Sequence, residues 1–186
     1  MEADILGLGP TLTTYKKREN VMVFGVNDIF RHHPVQYLVT VDSPLRFLRF
    51  PGNRLDVMCN STPEIFFTNR KEWEMYENVK SRMQLIELTA KRSDLTDAYS
   101  VGKIPFSNNS TFVAAILAYR MGAKKIIMYG VDFTGHHTLG KDNHMRKAIQ
   151  DFQNLYLKLR IKGCKLCVSS AKSSLSKVLP VCRPLL

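Results

Sequence analysis

Apolar positions in this chain fall into two patterns. Ile5–Leu8, Val21–Val26, Val35–Val41, Ile126–Val131 and Cys164–Val168 are short and largely apolar without a polar alternation. Runs of that kind predict strands shielded on both faces, as in a parallel sheet covered by helices. The second pattern is helical. Phe112, Ala115, Ile116 and Tyr119 recur at helical spacing, Ser110 or Thr111 is placed to cap the first free N–H groups, and Gly122 supplies a left-handed stop. A further helix is predicted from about His144 to Ile161, closed by Gly163. Between these elements, Glu64–Thr68 reads as a strand, Asn69–Met83 as a helix with Trp73 in the core, and Leu85–Leu88 as a short strand. Leu45–Phe50 reads as a short helix or covering loop and 94–106 as a loop. The expected fold is α/β: a three-layer α/β/α sandwich with a mostly parallel, Rossmann-like sheet, in a single domain over residues 1–186.

The carboxyl ends of the predicted strands carry the chemistry. Gly7-Leu8-Gly9-Pro10-Thr11-Leu12 follows the first strand, Asn27-Asp28 the second, Asp42-Ser43-Pro44 the third, and Asp132 closes the run at Ile126–Val131. Ligands of open α/β sheets collect at this rim, near the point where strand order reverses. Gly7 and Gly9 allow a close backbone approach, and Thr11 offers a hydroxyl and an N–H to an anion. An ordinary tight turn explains the same residues, since the third glycine of a dinucleotide fingerprint and a Gly-Lys-Ser/Thr are both missing. Asp42 suits a ribose hydroxyl or a helix cap. Three of the five histidines, His136, His137 and His144, fall within Thr134–His144. A glycine-containing loop rich in groups that titrate near neutrality fits a lid with a general base, a solvated loop or a metal cluster.

Composition narrows the picture. The length of 186 residues suits one core, and no apolar run approaches the roughly 20 residues that span a bilayer. The start Met1-Glu2-Ala3-Asp4 is acidic and leads into a strand, so a cytoplasmic location is expected. Four cysteines without a leader argue against a disulfide framework, and Cys164 and Cys167 point to opposite faces of a predicted strand, so no metal is expected there. The net charge of +11 is scattered along the chain. It favours polyanionic partners, nucleic acid included, and is equally what solvated helix faces give.

The Gly7–Leu12 turn, Asn27, the Ser/Asn-rich helix start at Ser107–Ser110, Gly122-Ala-Lys-Lys-Ile-Ile-Met-Tyr-Gly-Val-Asp-Phe133, the histidine-bearing loop and the final strand followed by Ser-Ser-Leu resemble the bacterial α-2,3/2,8-sialyltransferases that modify lipooligosaccharide. Val41-Asp42-Ser43-Pro44 is similar to the related motility accessory factors and hydroxymethyl-dihydropterin pyrophosphokinases. The resemblance implies nucleotide contacts at Gly7, Gly9, Thr11 and Asn27, and phosphate contacts at Asn109, Ser110 and Thr111. It implies a histidine base, best matched by His144, with His137 the other lid candidate. Leu8 replaces the family's asparagine, no arginine precedes Ser107 where the family has one, and the lid is shortened. These departures leave nucleotide binding as the expectation rather than CMP-sialic acid in particular.

The expected activity is metal-independent glycosyl transfer from a CMP- or UDP-sugar, with no cofactor, to a hydroxyl-bearing acceptor. Rival readings are a pyrophosphokinase-like transfer with Mg²⁺ held by Asp42 and Asp132, and a non-catalytic nucleotide- or nucleic-acid-binding protein.

Overall fold

Four of the five apolar runs hold parallel strands at or near their expected bounds, and the first strand lies at Glu2–Leu6 rather than Ile5–Leu8, because the chain has already left the strand at Gly7 and bends at Leu8. The computed structural model describes residues 1–49, 52, 54–89, 102–133 and 142–182, with side chains from residue 145 onward in the last segment. Seven strands are present among them: β1 (Glu2–Leu6), β2 (Val21–Val26), β3 (Tyr37–Thr40), β4 (Ile65–Thr68), β5 (Met83–Leu85), β6 (Lys125–Tyr129) and β7 (Lys165–Val168). Their order in the sheet is β5-β4-β3-β2-β1-β6-β7, and each described pairing is parallel. Five α-helices accompany them: α1 (Pro44–Leu48), α2 (Arg54–Cys59), α3 (Glu77–Lys80), α4 (Ser110–Arg120) and α5 (Asp142–Ile161). The α/β fold with a parallel sheet is as the apolar pattern predicts. Among the described residues no helix is long and apolar enough to cross a membrane.

Two compact units make up the chain, residues 1–22 with 117–186, and residues 23–116. In the first, Ile5, Ile126, Met128, Phe152, Leu155, Leu159 and Leu166 are buried. Gly122 takes the expected left-handed φ of 96° after α4, and Gly163 does the same after α5. In the second unit the core gathers around Trp73. Its ring lies 5.1 Å from Phe66 and 5.7 Å from Phe47, and its Nε1 donates to the Asp42 carbonyl at 3.0 Å.

That anchoring explains one correction. Instead of one helix over Asn69–Met83, a 3-10 turn at Lys71–Met75 carries Trp73 inward, Tyr76 is extended at φ −106°, ψ 106°, and only Glu77–Lys80 is α-helical. Burial of the indole overrides local helix propensity. The next strand starts earlier than expected, at Met83, and Leu88 makes only an isolated bridge to Ile104.

One face of β1 and β6 is unusual for a sheet interior. Register places Glu2 beside Lys125, Asp4 beside Ile127 and Leu6 beside Tyr129, so alternate positions carry polar groups onto one face. Tyr15 covers this face, its ring 5.0 Å from that of Tyr129 at 71°. The Tyr129 hydroxyl is buried and has no hydrogen-bond partner among the described residues. Burial pushes the Tyr15 phenol up from 10.0 to about 12, with Asp4 adding to it, and pushes Tyr129 higher still for the same reasons. Both phenols keep their protons in the folded chain after the unfolded chain has lost them. Their contribution to stability is therefore complete below about pH 10 and falls as pH rises toward 12 and beyond. Tyr129→Phe is expected to raise stability by about 1 kcal/mol by removing the orphaned hydroxyl, and to flatten the decline. Urea melts between about pH 8 and pH 11 measure both; a destabilised variant would show that the hydroxyl is satisfied.

Candidate functional site

The strand order reverses at the β1–β6 pair. The chain leaves β1 toward β2 on one side and leaves β6 toward β7 on the other, which makes their carboxyl ends the switch point where α/β sheets take ligands. Gly7, Gly9 and Thr11 leave β1 here, and Gly130 and Asp132 leave β6. Gly7 N donates to the Tyr129 carbonyl at 2.8 Å and Gly9 N to the Gly130 carbonyl at 2.7 Å. A Cβ on Gly7 would lie 2.5 Å from the Gly130 oxygen, and one on Gly9 would lie 2.5 Å from Asp132 Oδ2. The two glycines thus let one strand exit lie flat against the other, a packing reason in addition to ligand access.

Asp132 is buried and holds the turn. Its Oδ2 accepts from Thr11 N at 2.7 Å and its Oδ1 from the Thr11 hydroxyl, while Thr11 Oγ1 accepts from Gly130 N at 3.1 Å. The two Thr11 donors expected to meet an anion therefore meet this carboxylate, and Asp132 shapes the turn from beneath. The segment after β7 clasps the same exit: Ser174 N donates to the Asp132 carbonyl at 2.9 Å, and the Ser173 hydroxyl donates to the Val131 carbonyl at 2.8 Å. Phe133 follows at a left-handed φ of 50°, a strained conformation for a bulky residue. Outward, Thr14 Oγ1 and Ser169 Oγ lie 3.0 Å apart in an exposed position. Neutral hydroxyls of this kind suit phosphate or sugar oxygens.

Thr11→Val is expected to cost about 2 to 3 kcal/mol, because it leaves the buried Gly130 N–H and one carboxylate oxygen without a partner, whereas Thr11→Ser should cost less than about 1 kcal/mol. Urea midpoints at constant m distinguish them; equal losses would mean that the methyl group, not the hydroxyl, does the holding.

In the second unit, a separate polar group lies at the ends of β2 and β3. Asn27 adopts a left-handed φ of 53°, a conformation that asparagine tolerates better than most residues. Its Oδ1 accepts from Thr40 Oγ1 at 3.1 Å and from the Ser110 hydroxyl at 3.4 Å. Ser110 Oγ also accepts from Val41 N at 3.2 Å. The cap of α4 is Asn109, whose Oδ1 accepts from Thr111 N at 2.9 Å, Phe112 N at 3.3 Å and the Thr111 hydroxyl at 2.5 Å. This corrects the expectation of a Ser110 or Thr111 cap: Ser110 is drawn sideways to the strand ends, which leaves the residue before it to satisfy the helix start. Asp42 caps nothing. Its Oδ1 accepts from Arg46 Nη1 at 2.7 Å, one helical turn on, and the N-cap of α1 is Ser43.

His137 lies outside the described residues. His144 falls in the first turn of α5, with its side chain outside the description. Cys164 and Cys167 are both buried free thiols, and the described residues hold no group of three His, Cys, Asp or Glu able to bind a metal. Gly130 and the clasping serines escaped the sequence reading. Their only signal was a glycine one residue past an apolar strand and a serine-rich tail.

No protein-family model matches the chain, and no curated protein matches it by sequence. Solved structures match it in fold. The sialyltransferase CST-II in complex with a trisaccharide acceptor and CMP is 16% identical with a TM-score of 0.58, over 97% of this chain and 86% of that one. CstII from Campylobacter jejuni, in complex with cytidine-5'-monophosphate, is 14% identical with a TM-score of 0.58, over 100% and 88% of the two chains. The α-2,3-sialyltransferase from Campylobacter jejuni in its apo form is 15% identical with a TM-score of 0.57, over 100% and 83%. At such identities the likeness is one of fold, and it spans nearly the whole chain.

Proposed function

We propose that this protein is a glycosyltransferase using a nucleotide-activated sugar, metal-independent, with His144 as general base toward an acceptor hydroxyl. The observation that carries the reading is the Gly7–Thr11 turn, fixed by Asp132 at the switch point of a parallel sheet. The fold likeness to sialyltransferases solved with CMP supports it and favours a cytidine donor over a uridine one. In this reading Gly7, Gly9 and Thr11 form a rigid backbone surface for the nucleotide, and Asp132 positions them. Asn27, with Asn109, Ser110 and Thr111, is assigned nucleotide or phosphate contacts on the strength of the resemblance and of their hydrogen-bonded grouping. His137 is the second candidate for proton transfer. Asp42 and Asp132 already have the partners Arg46 and Thr11, which argues against both as Mg²⁺ ligands.

A thermal-shift screen tests the reading. CMP, or a CMP-sugar at about 100 times its Kd, is expected to add roughly 2.7 kcal/mol to the folded state, with no requirement for a divalent ion. Stabilisation only by ATP with Mg²⁺ would replace this reading with the pyrophosphokinase-like one, and no response to any nucleotide would remove donor binding.

A further inference from the structure

The amino ends of the strands in the first unit carry a surface that the transferase reading does not use. Lys124 N donates to the Met1 carbonyl at 2.8 Å, and Lys165 N to the Lys124 carbonyl at 2.9 Å. These bonds set Met1, Lys124 and Lys165 in a row at the starts of three neighbouring strands. α5 runs back antiparallel to β7 and ends beside this row, since only Lys162, Gly163 and Cys164 separate Ile161 from Lys165. Its inner face is Ala148, Phe152, Leu155 and Leu159, all buried. On the opposite face, one turn apart, stand Leu157 at 48% exposure and Ile161 at 82%. At 100° per residue, Arg160 falls on one flank of this pair and Lys158 on the other. The stripe continues back along the helix as Asn154, Gln153, Gln150 and Arg146, without an acidic residue. Met1 adds a third apolar side chain at the same end, 69% exposed.

Exposed aliphatic side chains centred among cations on the outer face of a helix match the chemistry of an anionic lipid interface. The aliphatic groups enter the acyl boundary, and Lys and Arg meet the headgroups. A nucleic acid would pair with the cations and leave Ile161 and Leu157 in water. A protein interface core is poor in lysine. We propose that the end of α5, with the strand-start row Met1–Lys124–Lys165, is a peripheral docking surface for a bilayer containing anionic phospholipid. It lies at the opposite end of the parallel strands from the β1–β6 carboxyl ends, so the Gly7–Thr11 turn would face away from the bilayer.

Flotation of the full chain with phosphatidylcholine vesicles, with and without phosphatidylglycerol, tests this. Binding is expected only with the anionic lipid and should weaken with salt. Leu157→Gln with Ile161→Gln, and separately Lys158→Gln with Arg160→Gln, should each lower affinity by about tenfold or more. All four side chains are at least partly solvent-facing, and an unchanged near-ultraviolet circular dichroism spectrum would verify that the fold is retained. Three results would overturn the proposal: no binding to anionic vesicles, equal binding by the apolar pair variant, or binding to a single-stranded RNA oligomer with none to vesicles.

Discussion

Replacing His144 by alanine is expected to leave donor binding unchanged and to slow glycosyl transfer by roughly two to four orders of magnitude, the usual contribution of a positioned acid–base group. An acceptor hydroxyl is a poor nucleophile until its proton is taken, and a neutral imidazole is a side chain that can accept that proton. His144 stands in the first turn of α5. The 134–144 segment that ends with it begins directly after Phe133, and Phe133 follows Asp132 at the switch-point rim. A thermal shift with CMP that is the same in both proteins separates this role from a structural one. An unchanged rate would move the base to His137 or beyond.

The sheet was legible in the sequence because a strand buried on both faces has no polar alternation to hide it. β2 is found at its expected bounds, and β6 and β7 within a residue or two of theirs. The stops at Gly122 and Gly163 were legible for a related reason, since left-handed φ is a local demand that glycine meets at little cost. What sequence could not give is which partner a polar side chain meets. Thr11 reads as an anion donor until Asp132, far along the chain, is found beneath it. Ser110 reads as a cap until Val41 and Asn27 are found beside it. Both misreadings have the same origin: hydrogen-bond capacity is a property of the residue, whereas its use is decided by tertiary neighbours. The helix expected at Asn69–Met83 failed similarly, because the pull on Trp73 comes from Phe47, Phe66 and the Asp42 carbonyl, none of them local. The alternation Glu2–Asp4 in β1 was the overlooked clue. Two carboxylates on one face of a central strand require a cation to meet them, and Arg18 is that cation.

Arg18→Leu is expected to cost about 3 to 5 kcal/mol, the range for breaking a buried ion pair from one side. Arg18 Nη2 reaches Asp4 Oδ1 at 2.5 Å, its Nε reaches Asp4 Oδ2 at 3.2 Å, and its Nη1 bonds Glu2. One guanidinium thus holds two carboxylates with opposite outcomes. Asp4 is fully buried, and desolvation outweighs Arg18, so its pKa is raised above 3.8. Glu2 is also penalised by burial, but it stays partly exposed and has Lys125 at 3.1 Å as well, so Arg18 and Lys125 together bring its pKa below 4.5. The signs then follow. Glu2 contributes stability above pH 4.5 that is lost as pH falls through its lowered value, whereas Asp4 lowers stability as pH rises from 3.8 through its raised value. Removing Arg18 leaves Lys125 to hold Glu2 and leaves Asp4 with no ion-pair partner among the described residues, so the defect should be small near pH 3, where Asp4 is protonated whether folded or not, and complete at about pH 7. Asp4→Leu combined with Arg18→Leu should recover most of the loss, because two apolar groups in place of a buried pair are close to neutral. Urea unfolding of the two single variants and the double across that pH range gives the coupling directly. A loss from Arg18→Leu that is independent of pH, or a double variant no more stable than either single one, would mean that the arginine acts through the packing of its aliphatic stem rather than through the charge on Asp4.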